Sequence, residues 1–269
     1  MEQTIGFIGV GNMGGALARA AARAVDPGRI VVSNRTLEKA EALSKALSCR
    51  VATATEVAES CDLVFLGVKP QMMAGLLADL QPALERRKTP VTLVSMAAGV
   101  SMAQIRAMAG GDYPVIRIMP NTPVAVGQGV VLYDQTENVS VEAKALFLTA
   151  MGTAGLLDPL EERLMDAGSA VAGCGPAFAD LFLEALADGG VLCGLPRAKA
   201  QAYAAQMLLG AAALALETEQ HPGQLKDAVC SPGGSTIAGV RALEEHGFRA
   251  GAMSAVMATY EKTLALAKK

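Results

Sequence analysis

Thr4-Ile5-Gly6-Phe7-Ile8-Gly9-Val10-Gly11-Asn12-Met13-Gly14 is the stretch on which the fold turns. Its first part, Thr4–Val10, is a continuous apolar run, as expected of a strand buried on both faces of a sheet. Its second part is a G-x-G-x-x-G, and an Ala-rich helix over Met13–Val25 follows. A glycine triplet alone says little, because an ordinary glycine-rich turn satisfies it. Between a strand and a helix it reads as the loop that cradles a dinucleotide. Gly9 allows the tight turn, Gly11 lets the backbone approach a pyrophosphate on the helix N-terminus, and Gly14 permits close helix–strand packing. Ile8, Gly9, Val10, Gly11, Asn12, Met13 and Gly14 are therefore the expected cofactor loop.

Outward from this loop the chain alternates. Ile30–Ser33 reads as a short strand, Leu37–Leu47 as a helix charged on one side, and Asp62–Val68 as a third strand. Pro70 opens a helix over Gln71–Leu84, in the position where proline costs least. Val91–Ser95 and Val115–Met119 are further strands. This repetition predicts an α/β fold, a Rossmann-type doubly wound parallel sheet with helices on both faces. From about Pro159 onward no strand is expected. Helices are predicted over Leu160–Val171, Pro176–Leu192, Arg197–Glu217, Thr236–Glu245 and Ala250–Ala267, separated by Gly194-Leu195-Pro196 and His221-Pro222-Gly223. The domains are accordingly placed at 1–158 and 159–269, the second all-α, in keeping with roughly 100–200 residues per domain. Its helices are apolar nearly all round, and such helices must be covered on every side. About 110 residues do this poorly alone, so either the first domain or, preferably, a second subunit is expected to cover them.

Composition narrows the function. Of 269 residues, 52% are hydrophobic and 18% charged, enough apolar material for a sizeable core and too much for disorder. A net charge of −3 leaves no basic excess to neutralise phosphates, so nucleic acid is not an expected partner. Five cysteines without a C-x-x-C fit a reducing compartment, the cytoplasm, and give neither a disulfide framework nor a metal site. Met1-Glu2-Gln3-Thr4 has no basic leader region, and Met207–Leu216, the most apolar run, is about half of the ~20 residues that span a bilayer, so neither signal peptide nor membrane is expected. Only His221 and His246 are available for histidine chemistry.

The cofactor's identity is read at the end of the second strand. An NAD enzyme usually places an acid there for the ribose 2′-hydroxyl. This chain has Ser33-Asn34-Arg35-Thr36, with no acid before Glu38. Arg35 can pair with a 2′-phosphate while Ser33 and Asn34 donate to it, which favours NADP(H), with NAD(H) as the alternative. The bland reading of Arg35 is a solvated surface residue. Val68-Lys69-Pro70 and Asn121, within Met119-Pro120-Asn121-Thr122-Pro123, stand at strand ends where ligands of such sheets bind. Lys69 suits a catalytic or a purely structural role about equally. In the second half, Ser231-Pro232-Gly233-Gly234-Ser235-Thr236 precedes a helix. Two glycines followed by two hydroxyl residues make a nest of backbone amides for an anion such as a carboxylate. Capping of the helix by Ser235 or Thr236 is the plainer alternative.

Together these motifs resemble the pyrroline-5-carboxylate reductases. The resemblance rests on Asp227-Ala228-Val229-Cys230-Ser231-Pro232-Gly233-Gly234-Ser235-Thr236 with Ile237-Ala238-Gly239, on Val68-Lys69-Pro70, on Met119 to Pro123 and on Gly173-Cys174-Gly175-Pro176-Ala177-Phe178, in the family's order over nearly the whole chain. It implies NAD(P)H-dependent reduction of 1-pyrroline-5-carboxylate to L-proline and a helical dimerisation domain, with homodimers often assembling into rings. It also implies that Ser231, Gly233, Gly234, Ser235 and Thr236 bind the substrate, with Thr236 on the ring nitrogen. Cys230 reads as a packing residue. The residue chemistry agrees, because a cyclic imine that arrives protonated needs no histidine acid, only placement and orientation. The opening also resembles that of β-hydroxyacid dehydrogenases. That family uses a lysine four residues after a glycine-rich turn. Here Gly173-Cys174-Gly175-Pro176 is followed by Ala177 to Asp180, and the next lysine is Lys199. A non-catalytic NADP sensor is the remaining rival, and the Ser231–Thr236 cradle disfavours it.

Overall fold

A computed structural model describes residues 3–267, so Met1 and Glu2 of the expected leaderless start, and the last two lysines, lie outside it. The chain forms two compact units. One comprises the residues up to Cys174 together with the end of the last helix from Thr259, and the other is Gly175–Ala258.

The first unit is built on one eight-stranded sheet in the order β3-β2-β1-β4-β5-β6-β7-β8. β1 (Ile5–Ile8) leads into α1 (Asn12–Ala24), β2 (Ile30–Ser33) into α2 (Leu37–Leu47), the short β3 (Arg50–Val51) into α3 (Ala54–Ser60), and β4 (Leu63–Leu66) into α4 (Pro70–Glu85). β5 (Thr92–Ser95), α5 (Met102–Ala109), β6 (Val115–Pro120), β7 (Gly129–Gln135), α6 (Val141–Met151) and β8 (Gly155–Pro159) complete it. Strands β1, β2, β4 and β5 are buried throughout, as unbroken apolar runs require when both faces are covered. On one face Phe7 stacks on Phe65 at 4.5 Å, beside Phe147 of α6 and the alanines of α1. On the other, Val64, Leu66 and Leu93 pack under Met73, Leu77 and Ile105 of α4 and α5.

The sheet departs from the expected all-parallel arrangement at one place. β7 runs antiparallel to β6, with Ile118 opposite Tyr133, before β8 returns parallel to β7. The cause is local. Only residues 121–128, which include the 3₁₀ turn Thr122–Val126, separate β6 from β7, too short for the crossover that a parallel neighbour needs.

A second departure follows β8. The expected helix Leu160–Val171 is divided into a 3₁₀ turn Glu162–Leu164, a short α7 (Met165–Gly168) and a π-helical turn Ser169–Gly173. Polar groups of the sheet hold it. Arg117 of β6, its side chain 5% exposed, pairs with Glu162 at 3.2 Å and Asp166 at 3.0 Å. The Glu162 amide donates to Asp134 of β7, and its carboxylate accepts from the Met102 amide at the start of α5. A buried guanidinium needs such partners, because removing one leaves an uncompensated charge. Met165 packs on Met119 and Leu132 of the same sheet, which is why the first unit extends past Pro159 to Cys174.

The second unit consists of α8 (Gly175–Leu192), α9 (Arg197–Thr218), α10 (Pro222–Ala228), α11 (Ser235–Glu245) and the first part of α12 (Phe248–Ala267). α8 and α9 approach closely where Gly190 faces Ala200, and a cavity of about 670 Å³ between them is lined by Asp180, Glu184, Asp188 and Arg197. The helical run Glu162–Leu192 has the length and composition of a membrane span, with mean hydropathy 1.4. The run is interrupted by the π-turn and Pro176, and it carries a row of exposed acids at Asp180, Glu184 and Asp188.

Candidate active site

The candidate cofactor site is set by backbone contacts at the ends of β1 and β4. Gly9 has φ +92°, a conformation costly for any side chain. Its amide donates to Ser33 O at 2.8 Å, and the Gly67 amide donates to Ile8 O at 2.7 Å. A Cβ on Gly14 would lie 2.1 Å from Gly9 O, and one on Gly67 would lie 2.2 Å from it. Three glycines thus share one crowded point. The sequence places Gly67, with Val68-Lys69-Pro70, at a strand end bordering the cofactor, but its contact with Gly9, distant in the chain, is visible only in the structure. A Cβ on Gly11 would meet nothing within 4 Å. That open space lies where α1 begins, with Gly11 as N-cap, no side-chain cap and no acid in the first turn. Free amides at the positive end of a helix dipole suit a phosphate, so the residues fit a dinucleotide.

The other expected cofactor residues divide by role. Ile8 and Val10 have buried side chains in the core and can offer a ligand only backbone. Asn34 is a brace, its Oδ1 accepting from the Val10 amide at 3.1 Å and its Nδ2 donating to Thr36 O at 3.0 Å. Ser33 is buried at the end of β2, whereas Arg35 beside it is exposed and has no ion pair among the described residues. Asn12 is exposed and Met13 half-buried at the start of α1. Val68 and the exposed Lys69 follow β4, with Lys69 as N-cap and Pro70 as first residue of α4, and no side chain caps that helix. Asn121 lies at the end of β6, but its amide is engaged within the protein.

The second unit carries the other loop. Ser231 O accepts from the Gly234 amide at 3.0 Å, closing a turn with Pro232 in its second place and Gly233, at φ +70°, in its third. This is the residue order a type II turn demands. A Cβ on Gly234 would lie 2.3 Å from Ser231 Oγ. Gly234 itself caps α11, and no side chain caps it, so capping by Ser235 or Thr236 is not what the loop builds. The hydroxyls of Ser231, Ser235 and Thr236 are exposed and have no hydrogen-bond partner among the described residues. With the free amides of the first turn, they form a donor-rich cradle for an anion.

Rival nucleophiles and acids are otherwise employed. His221 Nδ1 accepts from the Gly223 amide and caps α10, and His246 lies 2.8 Å from Ala242 O at the end of α11. Burial pushes the Cys49 and Cys61 thiols up, so they stay protonated and unreactive. The Cys230 amide donates to Asp227 O beside the loop. No cluster among the described residues has the donors for a metal ion.

The chain is similar to known proteins over its full length. Residues 162–266 match the family described as pyrroline-5-carboxylate reductase dimerisation, and residues 4–99 match the one described as NADP oxidoreductase, coenzyme F420-dependent. The chain is 41% identical to the pyrroline-5-carboxylate reductase of Escherichia coli K12, covering 100% of both chains. It superposes with TM-score 0.88 and 30% identity on the Plasmodium falciparum pyrroline carboxylate reductase with NADP bound, over 99% of this chain and 98% of that one. The Streptococcus pyogenes 1-pyrroline-5-carboxylate reductase gives TM-score 0.86 at 33% identity, over 97% and 98% of the two chains.

Proposed function

The chain belongs to the pyrroline-5-carboxylate reductase family, and from that premise we propose how its residues divide the reduction of 1-pyrroline-5-carboxylate to L-proline. The reaction is NAD(P)H-dependent, and a bound nicotinamide supplies the hydride that reduces the C=N bond. The observation that carries the assignment of residues is the Ser231–Thr236 turn, with a helix that no side chain caps and three unpartnered hydroxyls. The first-turn amides from Ser235 onward hold the substrate carboxylate, with Ser231, Gly233 and Gly234 shaping the turn. The Thr236 hydroxyl bonds the ring nitrogen and orients the imine carbon. Holding the reacting partners in register replaces acid catalysis, because a protonated imine is already electrophilic. Consumption of NADPH at 340 nm on adding 1-pyrroline-5-carboxylate is the direct test. Its absence, with folded protein, would end this reading.

We propose further that NADPH is preferred. The glycine loop from Ile8 to Gly14 and Val68-Lys69-Pro70 border the cofactor, and Arg35 reads its 2′-phosphate. Arg35→Ala should raise KM for NADPH and leave NADH little changed, since one charge-assisted contact is worth about 1.5–3 kcal/mol. Equal losses with both cofactors would show that Arg35 does not read the phosphate. The five free thiols suit the reducing cytoplasm.

The division into 1–158 and 159–269 is kept as the functional one, with the helical part as the homodimerisation domain. Leu181, Leu192, Leu209, Leu214, Leu216 and Met253 expose large apolar side chains, Leu192 at 88%. Surfaces of this kind mark an interface. Sedimentation at micromolar concentration should show no monomer, and species at multiples of the dimer would report a ring. A stable monomer would defeat the dimer.

A further inference from the structure

Asn121 is expected at a strand end where ligands bind, yet its side chain, in a residue 6% exposed, is spent inside the first unit. Its Oδ1 accepts from the Val130 amide at 2.9 Å, and its Nδ2 donates to Ala172 O at 3.0 Å. Ala172 belongs to the π-helical turn Ser169–Gly173, closed by the Cys174 amide donating to Ser169 O at 3.0 Å. In a continuing α-helix the carbonyl of Ala172 would receive the amide of the residue four places on. That residue is Pro176, which has no N–H. A half-buried carbonyl left without a donor is costly, and here a side chain from the end of β6 provides the donor.

We propose that Asn121 is a positioning residue: it supplies the hydrogen bond that Pro176 cannot, and so ties the turn Ser169–Gly173 to the carboxyl end of β6. Ligands of such sheets lie at the carboxyl ends of the strands, and π-turns concentrate at functional sites. The tied turn therefore walls the nicotinamide end of the cofactor, while the pyrophosphate rests at α1. Two motifs far apart in sequence, Met119–Pro123 and Gly173–Pro176, are halves of one device. This rests on the reductase reading above.

The test is a double-mutant cycle between positions 121 and 176. Asn121→Ala should lower kcat roughly tenfold to a hundredfold, the scale of a small misplacement, with the NADPH Kd from fluorescence titration unchanged. Pro176→Ala restores a backbone N–H four residues after Ala172. Alone it should stay active, because Ala172 O has a donor either way, and combined with Asn121→Ala it should recover most of the lost kcat. If Asn121→Ala does not fold, recovery of folding in the double variant is the same result. A parallel loss of NADPH affinity, a loss that Pro176→Ala does not repair, an inactive Pro176→Ala, or full activity of Asn121→Ala would each overturn the proposal. Wild-type protein inert toward 1-pyrroline-5-carboxylate would instead defeat the reductase reading.

Discussion

Replacing Thr236 by alanine is expected to lower kcat/KM for 1-pyrroline-5-carboxylate roughly tenfold to a hundredfold, the equivalent of about 1.5–3 kcal/mol for one hydrogen bond to a charged group. The loop geometry makes the experiment clean. Gly234 is the N-cap of α11, and no side chain caps that helix. Thr236 stands inside the first turn, its hydroxyl without a partner among the described residues. Truncating it removes no cap and buries nothing, so the melting temperature should hold. NADPH affinity should also hold, since the glycine loop belongs to the other unit. Thr236→Ser keeps the hydroxyl and should restore most of the activity. Full activity in the alanine variant, or no rescue by serine, would remove Thr236 from the reaction.

The second large effect separates two glycines of one motif. Gly14→Ala places a Cβ 2.1 Å from Gly9 O, a backbone atom that cannot yield cheaply. It should lower stability by about 1–3 kcal/mol or more and take cofactor binding with it. Gly11→Ala meets nothing within 4 Å, so its thermal melt should match wild type. Its NADPH Kd should rise roughly tenfold or more, because the methyl group occupies the approach of the pyrophosphate and disturbs charge-assisted bonds of about 1.5–3 kcal/mol. If Gly11→Ala binds NADPH normally, the phosphates do not rest there.

Much of this was legible in the residues. Thr4–Val10 and Asp62–Val68 announce buried strands because no polar residue breaks their apolar course, and the glycine triplet locates the turn between strand and helix. What escaped depends on partners far along the chain. β7 and β8 are not among the strands the sequence predicts, and the direction of β7 follows from a turn too short to cross over, which hydrophobic pattern does not reveal. The continuous helix expected over Leu160–Val171 fails because Asp134, Met102 and Arg117 draw Glu162 and Asp166 into the sheet, a demand invisible within the segment itself. The Ser231–Thr236 loop was readable as a cradle. That Gly234, and not a hydroxyl, caps its helix required the backbone angles. Asn34 and Asn121 look like ligand-facing polar residues, yet both spend their amides holding other loops.

The meeting of Gly9 with Gly67 also bears on how the protein is made. The glycine loop leaves the ribosome early, but the strand that presses it into shape, β4, is still untranslated at that moment. At about 5–20 residues per second, some ~3–12 s separate the two glycines. Throughout that interval β1 lacks its β4 neighbour, and at least one edge of an apolar strand waits unpaired. Ambient cofactor cannot shelter it, because the cradle does not exist until Gly67 arrives. A nascent chain stalled before Leu63 should therefore be captured by chaperones that bind extended apolar segments, and one stalled well past Leu66 should release them.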